Sequence, residues 1–338
     1  MRRPSTPWRR EVTCPVLQGA AQIGDAMADQ SLADAQGEQD KQRVAASSMA
    51  AAVLLTTMKI VVGVLSGSIG ILAEAAHSGL DLVAAAVTLW AVRASGQPAD
   101  AGHPYGHGKI ENFSALFETG LLVATCLFIG YEASRRLISG EGHVEVSVWA
   151  FLVMFVSIVV DVSRSRALSR AAKEHNSQAL AADALHFATD VWSSSVVIVG
   201  LAAVWLADRL QLPWLARADA VAALGVAVVA LVVSVRLGKQ AVADLLDAAP
   251  EGVIELVAHA ARVEGVLAVL QVRVRQSGAH VFTDLSIEVA KGTSFDGAHE
   301  IAHRVEAAIR QVIPRVDVVV HTDPADAPEP AAPGALQP

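Results

Sequence analysis

His77-Ser-Gly-Leu-Asp81 and His186-Phe-Ala-Thr-Asp190 are two copies of one pattern, an imidazole followed four residues later by a carboxylate, each inside a long apolar stretch. On a helix, residues four apart share a face with Cβ atoms about 5–6 Å apart. Each copy therefore presents one nitrogen and one oxygen donor side by side. Two such helices facing each other offer four ligands, a set that suits tetrahedral Zn²⁺ and, with less discrimination, Co²⁺, Cd²⁺ or Fe²⁺. The competing reading is two unrelated polar clusters satisfied within a bundle. It fits less well, because ionisable residues at membrane depth are costly and mark substrate or ion paths. A second candidate cluster is Asp100, His103 and His107, punctuated by Gly102, Pro104, Gly106 and Gly108. It can fold around an ion or form a solvated turn.

The elements that must hold these residues are membrane helices. A hydrocarbon core about 30 Å thick needs about 20 apolar residues of helix. Six windows qualify, near Val44–Leu65, Ile69–Val92, Phe113–Tyr131, Val146–Val162, Leu180–Leu206 and Ala218–Leu237. The two His/Asp patterns fall in the second and fifth. Gly63 and Gly67 form a GxxxG, a weak packing signal in so small-residue-rich a chain. Lys41, Arg43, Arg93, Lys109, Arg164, Arg166, Arg170, Lys173, Arg236 and Lys239 flank one side of the spans. Only Arg135, Arg136, Arg209 and Arg217 flank the other. Positive residues favour the cytoplasm, so both termini are expected there, in a bacterial inner membrane.

Composition agrees. The 338 residues are 53% hydrophobic and 18% charged, with a formal charge of −8 that argues against nucleic acid as a partner. Cys14 and Cys126 are the only cysteines, so neither a disulfide framework nor a thiolate cluster is suggested. Residues 1–43, with Arg2, Arg3, Arg9 and Arg10 near the start, have no apolar core of a signal sequence and read as a retained, disordered cytoplasmic tail. The expected division is this tail, a transport domain over 44–238, a cytoplasmic domain over 239–323 and a disordered Pro- and Ala-rich end over 324–338. Past Lys239 the apolar runs shorten and alternate. Residues 251–263 suggest a helix, Val266–Arg275 and Val281–Val289 two strands, and Ala298 to Val312 a helix stopped by Pro314. Val316–Val320 gives a third strand. The order αββαβ predicts a small helix-on-sheet module of ferredoxin or metallochaperone type.

Six spans, a cytoplasmic αββαβ domain, paired HxxxD motifs and the loop His103-Pro-Tyr-Gly-His107-Gly-Lys109-Ile-Glu111 resemble the cation diffusion facilitator family from about Ala45 to Pro324. The resemblance implies a homodimeric metal/proton antiporter in the lipid bilayer. Its transport site would be His77, Asp81, His186 and Asp190, with a loop metal site at Asp100, His103 and His107. It also implies a dimer-hinge pair of Lys109 with Asp247. Family members that load the small domain with zinc use strand histidines plus a terminal His and acid. His321 and Asp323 match the latter, but Leu270 and Ser286 stand where the strand histidines are expected, so the site there is incomplete. His280, or the helix pair His299 and His303, are weaker substitutes, better read as solvated. The resemblance implies efflux of divalent cations, Zn²⁺ foremost, in exchange for protons. No cofactor is expected beyond the transported or regulatory ion. The rivals are a membrane metal sensor or scaffold without transport, a transporter mainly for Co²⁺, Cd²⁺ or Fe²⁺, and a membrane metalloenzyme. No HExxH supports the last, and no GxxxxGK[ST] supports ATP-driven pumping.

Overall fold

The computed structural model describes residues 15–139, 148–210, 218–313 and 315–325. Six long helices come first: α1 Pro15–Ser66, α2 Ile69–Ser95, α3 Lys109–Ser139, α4 Val148–His175, α5 Gln178–Leu210 and α6 Ala218–Leu245. Over their described residues, four of them (α1, α2, α3 and α6) contain segments long and apolar enough to cross a membrane. At 1.5 Å per residue, α4 and α5 also have spanning length, about 40 and 50 Å. The small domain follows as α7 Val253–Ala260, β1 Ala268–Ser277, β2 His280–Val289, α8 Phe295–Val312 and β3 Val316–Pro324, the expected αββαβ order.

Three expected boundaries move. The tail expected over 1–43 is helical from Pro15 onward; after Pro15 the segment has no proline, and Ala, Gln and Leu favour helix even without an apolar face. Residues 1–14 lie outside the described residues. The break expected at 238/239 falls instead after Leu245, because Ala241 and Asp244 are buried against the bundle and carry α6 onward. The end expected to be disordered from residue 324 still holds Pro324 within β3, and the Ala325 N–H donates to the Val289 carbonyl at 2.8 Å. The rest of that end lies outside the described residues.

Turn chemistry fixes the bundle's corners. Gly67 adopts φ 65° between α1 and α2, a conformation open to glycine at no steric cost. Ser68 then caps α2 by accepting from the Ile71 N–H. Gly63, the other half of the GxxxG, lets Leu72 approach so closely that a Cβ would sit 2.8 Å from its Cδ2. Asn176, at φ 51°, separates α4 from α5, and the Ser177 hydroxyl accepts from the Leu180 N–H to start α5. Ala45, Val92, Leu168, Leu180 and Phe187 form the core joining α1, α2, α4 and α5. Against α6, Gly238 leaves room for the Thr119 methyl of α3.

In the small domain β1 pairs antiparallel with β2, and β2 parallel with β3. The period-two pattern of β2 buries Thr283, Leu285, Ile287 and Val289. Ile301, Val305 and Ile309 recur on one face of α8 and cover them, each side chain contributing roughly 1.5–3 kcal/mol. The α2–α3 loop seats on this domain. A Cβ at Gly108 would lie 2.5 Å from the Ser277 carbonyl oxygen. Nearby the Tyr105 ring meets the Arg275 guanidinium at 3.9 Å and the Phe282 ring edge-on at 5.2 Å.

Candidate metal centre

The chain reverses direction between α2 and α5, so the two His/Asp pairs meet in opposite order. His77 Nε2 lies 3.9 Å from Asp190 Oδ1 and 4.0 Å from Asp81 Oδ1. His186 Nε2 lies 3.0 Å from Asp81 Oδ1 and 3.6 Å from Asp190 Oδ2. The four donors thus close a ring of alternating nitrogen and oxygen. A tetrahedral ion with bonds of about 2.0–2.2 Å separates its ligands by roughly 3.3–3.6 Å, within the spread of these contacts. His77, Asp81 and Asp190 also lie mutually within 4.8 Å.

The ring has two layers. Asp81 and His186 form the layer nearer the small domain and are buried; the His77 side chain, in the far layer, is 40% exposed. The Phe187 ring stands edge-on to His186 with centroids 5.4 Å apart. His186 turns Nε2 toward the carboxylates and buries Nδ1, which has no hydrogen-bond partner among the described residues.

Residues that pattern reading did not pair surround this ring. Lys59 of α1 is buried and donates to Ser78 Oγ at 2.7 Å, with Glu74 Oε2 at 3.4 Å. Glu74 is thus bound to a cation and outside the ring; a lysine within an apolar window was the available signal. On the side of the small domain, Glu118 is fully buried and accepts from the Thr88 hydroxyl. Asp183 accepts from Ser48 at 3.3 Å, and Ser48 accepts from Arg164. Arg164 also reaches Asp161 at 3.4 Å. At the bundle's end Lys41 meets Glu111 at 2.7 Å, and Glu111 also accepts from Ser95 at 3.0 Å and from Ser177. Asp244 accepts from Asn112 and Gln178.

The remaining candidates have clear placements. Asp100 lies 3.3 Å from His103 Nδ1 and 3.6 Å from His107 Nε2, and the three donors fall within 4.8 Å. The His103 backbone N–H, donating to Asp100 at 2.6 Å, and that of Gly102 hold this exposed carboxyl below its ordinary range. Lys109 Nζ sits 2.9 Å from Asp247 and donates to the Leu245 carbonyl at 3.1 Å. His321 and Asp323 are 3.1 Å apart and exposed. Ser286 is the register partner of His321, so a hydroxyl stands where a third donor would be needed. His280 pairs with Ser277 at the opposite end of β2, roughly 20 Å away at 3.3 Å per residue, and does not join His321. His299 and His303 bring their Nε2 atoms within 3.0 Å on the exposed face of α8.

Comparison with known proteins places both halves. Residues 45–246 match the cation efflux transmembrane domain, and residues 248–325 the cytoplasmic domain of cation efflux proteins. The cation-efflux pump FieF of Pectobacterium atrosepticum is 33% identical over 84% of this chain and 92% of its own length. FieF of Yersinia pestis is 34% identical over 83% and 91%. A nickel form of the MamM CTD is 30% identical over 23% of this chain and all of its own, with a TM-score of 0.22. Matched in order across bundle and small domain, the chain belongs to the cation efflux, or cation diffusion facilitator, family and is a cation-efflux transporter.

Proposed function

We propose that this transporter moves Zn²⁺, or a closely similar divalent cation, out of the cytoplasm across a bacterial inner membrane in exchange for protons, working as a homodimer. The observation that carries the reading is the ring of His77, Asp81, His186 and Asp190, with successive donors 3.0–4.0 Å apart. Two imidazoles and two carboxylates favour Zn²⁺ over harder ions, with Co²⁺, Cd²⁺ and Fe²⁺ as the nearest competitors. An imidazole must be unprotonated to ligate, so cation and protons compete for the same atoms. Loading on the less acidic side and release on the more acidic side then follow from one site. In this reading Asp100, His103 and His107 bind a second, non-transported ion. Lys109 and Asp247 hold the hinge between bundle and small domain, and His321 with Asp323 is a remnant site. No other cofactor is involved.

Flux into proteoliposomes, with a panel of divalent cations under an imposed pH gradient, tests this directly. Zn²⁺ transport with counter-movement of protons is expected, and His77→Ala, Asp81→Ala, His186→Ala and Asp190→Ala should each abolish it. A variant with near wild-type flux removes that residue from the ligand set. Binding without flux favours a sensor, and flux indifferent to the pH gradient overturns the exchange.

A further inference from the structure

Arg164 is an arginine inside the bundle, 6% exposed and hooked around the turn of α5 that carries His186. Its guanidinium lies 3.5 Å from the centroid of Phe187, the residue after that ligand. Its Nε and Nη2 donate to Ser48 Oγ of α1 at 3.2 and 3.0 Å, and Nη1 meets Asp161 of α4 at 3.4 Å. Ser48 in turn donates to Asp183, one turn before His186. Guanidinium keeps its proton under all ordinary conditions, so this is a fixed charge. Joining α1, α4 and α5 alone would not require one, since apolar packing replaces buried charge without loss in many proteins.

We propose that Arg164 is a release residue of the transport site. Seated on Phe187 and bonded to Ser48 of α1, it holds beside the site a permanent charge that weakens the hold of the four ligands on a divalent cation so that the ion can leave. The inference rests on the assignment of His77, Asp81, His186 and Asp190 as those ligands. Electrostatics supplies the reason. Like charges repel strongly where the effective dielectric is about 20 rather than 80, and Phe187 holds the guanidinium one residue from a ligand. Asp183, reached through Ser48, and Asp161 offset part of that charge. A strut and a release device differ in sign: losing a strut loosens the ligands and weakens binding, whereas losing the charge strengthens binding and slows turnover.

The test uses full-length protein with Asp100, His103 and His107 replaced by alanine, so that calorimetric Zn²⁺ binding reports the bundle. Arg164→Gln keeps a donor for Ser48 but removes the charge; Zn²⁺ should bind about tenfold tighter or more. In proteoliposomes KM and Vmax should fall together. Arg164→Lys keeps the charge and should bind Zn²⁺ as the parent does. Asp161→Asn leaves the guanidinium less offset and should shift affinity the other way, with faster release, which keeps the idea open to refutation if Arg164→Gln does not fold. Weaker or unchanged binding in Arg164→Gln, equal behaviour of the Gln and Lys variants, or tighter binding in Asp161→Asn each overturns the proposal. The ligand assignment fails separately, and visibly, if His186→Ala in the same background binds Zn²⁺ as well as the parent.

Discussion

Replacing Glu111 by alanine should be among the most destabilising single changes outside the metal centre. Its carboxylate is 1% exposed as a residue, sits 2.7 Å from the buried Lys41 ammonium, and also accepts from Ser95 of α2 and from Ser177 at the α4–α5 corner. One side chain of α3 thereby ties the middle of α1 to the end of α2 and the α4–α5 corner. Breaking a buried ion pair by removing one partner costs about 3–5 kcal/mol, and a hydroxyl losing its acceptor adds about 1 kcal/mol or more. The expected loss is therefore about 4–6 kcal/mol for Glu111→Ala, and nearer 3 kcal/mol for Glu111→Gln, which still accepts from the serines. Equilibrium unfolding in mixed detergent micelles, followed by tryptophan fluorescence, measures it. The double variant Lys41→Met with Glu111→Met should recover most of the loss, since a buried pair replaced by apolar groups of similar volume is close to neutral. A cost below about 1 kcal/mol for Glu111→Ala, or strict additivity of the two methionine changes, would show that the cluster does not hold these helices together.

Gly108→Ala should push the α2–α3 loop off the small domain, because the added Cβ would stand 2.5 Å from the Ser277 carbonyl and backbone must yield by nearly 1 Å. A loss of about 1–3 kcal/mol and faster hydrogen exchange over residues 100–109 are expected; unchanged exchange would refute the seating. The small domain should bind Zn²⁺ weakly even in the full-length protein with the loop and bundle ligands removed. His321 and Asp323 are only two donors, and Ser286 faces them across the register. Tight binding of two ions per chain by calorimetry in that background would point instead to His299 and His303.

How far the sequence carried these conclusions depends on whether a feature is local or arises from packing. The four-residue spacing in His77/Asp81 and His186/Asp190 is local, and the helix that enforces it also makes each pair share a face. The alternation in β2 is local too, and Leu285, Ile287 and Val289 are buried as it requires. The cross-pairing of Asp81 with His186 is not local. It depends on α5 running opposite to α2, which no spacing within either motif encodes. The helix over residues 15–43 carries no apolar stripe to mark it in the sequence, since Ala, Gln and Leu favour helix without one. Lys41, Ser48 and Lys59 read as ordinary residues at or within the first apolar window. Each acquired a role only when α1 lay against Glu111, Arg164 and Ser78. Residue types along one helix therefore identify the metal donors, while the charges around those donors come from three further helices. Since those charges govern how tightly a buried cation is held, affinity and release are the properties that a motif read from the chain could not supply.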